Sequence, residues 1–128
     1  MKGLLFLSTL LFTVLIINTA LAQELRVVTL DETDLADGVP IKIVLFPGDT
    51  LQFRAVNGDF TIYIKDAFNF LRIREDNLKI RVDSAGEALS DFYEVRTVES
   101  NIDKTFSIYC ISSDTWPDAP PRIIIVSE

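Results

Sequence analysis

Hydrophobic residues recur with a period close to two through most of this chain, and that pattern restricts the fold more than any other feature. A strand turns successive side chains to opposite faces, so alternation marks a sheet with one buried face. Leu25, Val27 and Thr29 alternate with Arg26 and Val28, and Ile41, Ile43 and Leu45 with Lys42 and Val44. The same rhythm sets Leu51, Phe53 and Ala55 against Gln52 and Arg54, and Phe60, Ile62 and Ile64 against Thr61 and Tyr63. It continues with Leu78, Ile80 and Val82, with Tyr93, Val95 and Thr97, and with Phe106, Ile108 and Cys110. The last run, Arg122 to Ser127, is continuously apolar and reads as a strand covered on both faces.

Turn formers separate these runs: Asp37-Gly38, Pro47-Gly48-Asp49, Asn57-Gly58-Asp59 and Asp83 to Gly86. Asn57-Gly58 between two alternating strands predicts a tight hairpin. Asp66 to Asp76 fits either a strand or a short helix, and the capping-box spacing of Ser84 to Glu87 predicts a helical turn over Glu87 to Phe92. Seven or eight short strands at this spacing predict an all-β fold, a two-sheet antiparallel Greek-key β-sandwich.

The N-terminus follows different rules. Lys2 precedes a nearly unbroken apolar run from Leu4 to Ile17, then Asn18-Thr19 and Ala20-Leu21-Ala22. This is the layout of a secretory signal helix, with cleavage expected between Ala22 and Gln23. An uncleaved anchor is the alternative, since Leu4 to Ala22 is just long enough to span a bilayer. The Ala-x-Ala site and the polar break before it favour cleavage. The expected organisation is a signal peptide over residues 1–22 and a single β-sandwich domain over residues 23–128, secreted or periplasmic, with no stable membrane insertion once the signal is removed.

Without Lys2 the chain carries 11 basic and 19 acidic residues, a net charge of −8. Such a surface repels nucleic-acid backbones, so no nucleic-acid partner is expected. The chain has no histidine, and Cys110 is its one cysteine, which rules out an intramolecular disulfide.

Two stretches resemble the cupredoxins, the Greek-key sandwiches of blue-copper proteins. Phe46-Pro47-Gly48-Asp49-Thr50-Leu51-Gln52-Phe53 is similar to the family's Pro-Gly-Asp turn entering a strand, ahead of the strand that carries the first copper ligand. Thr105-Phe106-Ser107-Ile108-Tyr109-Cys110 resembles the penultimate strand, which ends on the ligand cysteine, and a loop then leads to a final apolar strand. The resemblance implies a fold, but the metal site does not carry over. Blue copper needs two imidazoles and a thiolate, often with an axial thioether. Phe60 or Thr61 stands near the place of the first His, and the loop from Ile111 to Pro121 offers neither His nor Met. No cofactor or metal is expected. Cys110 is expected to share the buried face of Phe106 and Ile108 as an inert thiol.

Other chemistries fail on their own terms. Asp31 to Gly38 is densely acidic, but Leu35 and Val44 stand where an EF-hand requires oxygen ligands, so the run reads as a solvated turn. Asp59, Asp66 and Asp91 lie in separate turns, and no His is present to activate Ser107, Ser112 or Cys110, so no catalytic residue is assigned. The loop Asp114 to Pro121 is the most unusual surface feature. Its Trp116 either folds back into the space a metal would fill or, with Asp114 and Asp118, contacts a protein or glycan partner. The expected function is thus a metal-free, non-catalytic binding or structural module in the cell envelope or outside the cell. The alternatives are an atypical copper-binding electron-transfer or metal-carrier protein using Cys110, or a carboxylate-based enzyme.

Overall fold

The structure, a computed structural model, describes residues 23–86, 88–117 and 119–127. The expected signal segment, and Glu87 of the expected capping box, lie outside the described residues. Among the described residues no helix is long and apolar enough to cross a membrane.

The fold is all-β with little helix. Strand β1 (Leu25–Asp31) leads into a one-turn helix α1 (Glu32–Ala36), followed by β2 (Lys42–Leu45), β3 (Thr50–Val56) and β4 (Asp59–Ile64). After a 3-10 turn at Ala67–Asn69 come β5 (Leu78–Asp83), β6 (Tyr93–Glu94), β7 (Ile102–Thr105), β8 (Ser107–Cys110) and β9 (Arg122–Ile125). The strands form three ladders, in the orders β1-β3-β6, β2-β9-β7 and β5-β4-β8. One apolar cluster serves all three, with Leu30, Leu45, Leu51, Phe53, Phe60, Ile62, Ile108, Ile123 and Ile125 each at most 1% exposed.

The pairing is not antiparallel throughout. β1 runs parallel to β3, from Leu25 opposite Thr50 to Asp31 opposite Val56, and β2 runs parallel to β9. Alternation reports which face of a strand is buried and carries no information on the direction of its neighbour. The chain achieves the first parallel pair by sending β2 to a different ladder before β3 returns beside β1.

The buried face of β1 is the opposite of the one the hydrophobic pattern suggests. Leu30 is buried and Val28 is half-buried in line with Arg26, whereas Leu25 is 54% exposed and Val27 38%. Arg26 takes an inward register because its stem covers apolar surface while its guanidinium reaches Glu24 (2.8 Å) and lies 3.8 Å from Asp49.

Asp49 explains the Pro-Gly-Asp turn. Its carboxylate is 3% exposed and accepts hydrogen bonds from the N–H groups of Phe46 (2.9 Å) and Glu24 (3.0 Å). Its backbone bonds to Val95, so one residue ties the turn to the start of β1 and to the segment after β6. Gly48 takes φ +88°, a left-handed conformation that side chains disfavour, and an added Cβ would lie 2.5 Å from the Gln23 amide.

Three local expectations are corrected. The acidic run is a helix turn: the Asp31 carboxylate accepts from the Thr33 N–H (2.9 Å) as an N-cap, and Leu35 turns into the core. The segment Asp66 to Asp76 forms the 3-10 turn followed by a bridge from Leu71 to Val95, and Arg96 sits 4.4 Å over the Phe68 ring. No helix forms among the described residues from Ala88 to Phe92. There Leu89 bridges to Arg54, the Ala55 N–H donates to the Ala88 carbonyl (2.8 Å) and the Ser90 N–H to that of Phe53 (2.9 Å). Pairing along β3 satisfies these groups and outweighs the local capping signal. β7, with one strongly apolar residue in four, has almost no pattern of its own and exists because β9 offers it an edge.

Candidate binding pocket at the Trp116 loop

Strand β8 sets up the site through its sidedness. Ile108 and Cys110 face the core, while Ser107 and Tyr109 face outward. After Cys110 the chain reverses over Ile111 to Asp114, with Asp114 at φ +53°, and Thr115 returns to bridge Cys110. The Cys110 N–H donates to the Thr115 carbonyl (2.9 Å), and the Thr115 N–H donates back (3.3 Å). Tyr109 donates its hydroxyl proton to the Asp114 carboxylate, and its ring meets Trp116 at a centroid distance of 5.0 Å and an angle of 47°. The indole is 62% exposed.

Helix α1 forms the opposite wall. Glu32, Leu35 and Ala36 face Ser113, Thr115, Trp116 and Pro117 across a cavity of about 340 Å³ with Cys110 at its base. The helix approaches closely because Gly58, in the turn between β3 and β4, has no side chain. A Cβ there would lie 2.6 Å from a Glu32 carboxylate oxygen and 3.0 Å from Glu32 Cβ.

Trp116 therefore does not fold back as a plug; it lines an open pocket. Of the other two residues expected to contact a partner, Asp114 is exposed and holds Tyr109 without lining the cavity, and Asp118 lies outside the described residues. The sequence reading missed Glu32, Leu35 and Ala36. The available signal was an N-cap Asp followed by an acidic first turn and a leucine, which reads as a helix start. Asp59 and Asp66 are engaged separately. Asp59 accepts from the Ser84 N–H at 3.0 Å, and Asp66 pairs with Lys104 at 3.4 Å. Among the described residues no group of three or more Cys, Asp or Glu is placed to hold a metal ion.

The site does not fit blue copper. Phe60 is the residue directly opposite Cys110 in the β4–β8 register, and its ring is fully buried. The groups around the thiol are a carboxylate, hydroxyls and an indole, with no imidazole in the chain.

Cys110 is 3% exposed. Burial pushes its thiol above the ordinary value, the Glu32 charge adds to this, and a hydrogen bond with the Thr115 side chain opposes it. A thiol raised on folding contributes stability that is fully present below its unfolded pKa and lost as pH rises through the folded value. The thermal midpoint should therefore fall above about pH 8.5, and fall less steeply in Cys110→Ala. Tyr93, raised by burial and by Asp91, adds a loss of the same sign at higher pH. Thiol labelling of native protein should be slow at neutral pH and fast after denaturation. Equal rates in the two states would place the thiol in reach of solvent.

No family model and no curated protein sequence matches the chain. Among solved structures, a methionine-to-alanine mutant of amicyanin with Cu(I) is similar at 13% identity and a TM-score of 0.41, covering 77% of this chain and 81% of that one. An oxidized methionine-to-leucine mutant of amicyanin is similar at 12% identity and a TM-score of 0.40, covering 77% and 80%. Both scores lie below the range in which a common fold follows from the superposition.

Proposed function

We propose that the chain is an exported, metal-free, cupredoxin-like β-sandwich, released from its signal after Ala22, that acts by binding rather than catalysis in the periplasm or outside the cell. It engages a protein or glycan partner through the end of the fold that carries Trp116. The observation that carries this reading is the pocket between α1 and the loop after β8, where a large indole stays exposed beside an open cavity. An exposed aromatic next to a cavity is a common anchor for a partner. The Ala-x-Ala site after an apolar run supports export. One core shared by three ladders, with Cys110 opposite Phe60, one of the two residues near which the family resemblance expects a histidine, supports the cupredoxin-like sandwich without its metal.

The test is capture from a cell-envelope extract of the source cells with wild-type and Trp116→Ala protein. Intact mass of the protein recovered outside the cytoplasm should begin at Gln23, and Trp116→Ala should lose the captured partner while keeping the wild-type thermal midpoint. Recovery of a species retaining residues 1–22, or equal capture by both proteins, would overturn the reading.

A further inference from the structure

We propose that the pocket between α1 and the Trp116 loop recognises a cationic side chain, a lysine or arginine of a protein partner, and that Glu32 and Trp116 hold its charge. The inference rests on the proposed role of this end of the molecule as the binding site, and it names the chemistry of the ligand.

Most polar groups in and around the cavity are already engaged with one another. The Ser113 and Thr115 hydroxyls bond to one another at 2.7 Å, so part of their capacity is spent. Tyr109 and Asp114, behind the indole, are paired together. Glu32 is different. It is a partly buried residue on the cavity wall, and among the described residues its carboxylate accepts no hydrogen bond and forms no ion pair. No Lys or Arg is among the lining residues. The cavity thus presents an unpaired negative charge in a lining that includes an exposed indole. That pair suits a cation, which gains Coulomb attraction from the carboxylate and quadrupole attraction from the ring.

The rest of the lining fits the stem of such a side chain. Leu35, Ala36 and Pro117 supply apolar surface for methylene groups, and a cavity of about 340 Å³ has room for one long side chain. The net charge of −8 outside the signal segment would steer a basic partner toward the protein. A sugar fits less well, because a pyranose needs several convergent donors and acceptors while here the hydroxyls are already paired with each other.

Gly58 supports the assignment from behind. The Glu32 side chain lies against the bare glycine Cα, and any larger residue would displace the carboxylate. A side chain at position 58 would meet the Glu32 carboxylate, so the wall keeps this arrangement only with glycine there.

Trp116 is the only tryptophan, so its fluorescence reports on the pocket directly. The probes are the pentapeptides Gly-Gly-Arg-Gly-Gly and Gly-Gly-Lys-Gly-Gly, the same peptide carrying citrulline as a neutral isostere of arginine, and a set of methyl glycosides. The basic peptides should change the Trp116 emission saturably, the citrulline peptide should not, and the change should weaken with salt. Glu32→Gln should weaken basic-peptide binding by at least about tenfold, whereas Asp34→Asn, on the same helix but outside the lining, should stay within about twofold. Equal binding of the citrulline peptide, or an unchanged affinity in Glu32→Gln of wild-type thermal midpoint, would overturn the proposal. A response to glycosides alone would overturn it in favour of a sugar. The two readings separate in the envelope capture. Loss of the partner in Trp116→Ala but full retention in Glu32→Gln leaves the binding site standing and removes the cation. Retention in both removes the site itself.

Discussion

Asp49→Ala is expected to be among the most damaging polar substitutions in this chain, at roughly 2–5 kcal/mol. Two N–H groups, of Phe46 and Glu24, would lose the acceptor that holds them, and an unsatisfied buried donor costs about 1–3 kcal/mol. The ion pair with Arg26 adds little, because the arginine side chain is 40% exposed and the closest nitrogen stands at 3.8 Å, an ion-pair separation beyond hydrogen-bond reach. The loss is large against a domain stability of about 5–15 kcal/mol. It should lower the thermal midpoint by at least about 10 °C for a chain of this size. Asp49→Asn keeps one acceptor oxygen and should recover part of the loss. A midpoint within a few degrees of wild type for Asp49→Ala, about 3 °C or less, would mean that water replaces the carboxylate at this turn.

Phe60→Ala should cost about 3–5 kcal/mol, the scale of removing a fully buried ring. Phe60 is 0% exposed and pairs with Val82 on one side and Cys110 on the other. The resulting cavity opens beside the thiol, so labelling of Cys110 in the native state should accelerate as the denaturant midpoint falls. Phe60→Leu leaves a smaller void and should cost much less. A Phe60→Ala protein with a wild-type midpoint would show that the ring is not part of the close-packed centre. Its thiol would then be expected to label as slowly as before.

The sequence by itself determined where most strands run and which turns separate them. Eight of the nine strands lie on alternating or continuously apolar runs with turn formers between them, and the Pro-Gly-Asp turn leads into β3. Cys110 is buried with Phe106 and Ile108, as its place in the alternation requires. These properties are local: they follow from a two-residue repeat and from the φ preferences of a few residues. Tertiary structure decided whatever depends on a neighbour. The parallel course of β1 beside β3 came from the path of the chain between ladders. The inward face of β1 came from the core that buries Leu30 and half-buries Val28, with Arg26 carried to the same side. β7 came from the free edge of β9, and the bridging of Leu89 to Arg54 from unpaired groups on β3. The pocket belongs wholly to this second class. Trp116 stands out in the sequence as the lone tryptophan of a Pro-rich loop, but Glu32 lies in a distant acidic run and reaches the same cavity only because Asp31 caps a helix turn and Gly58 lets that turn come close. A cavity is a relation between surfaces brought together by the core, and no periodicity within either segment encodes it.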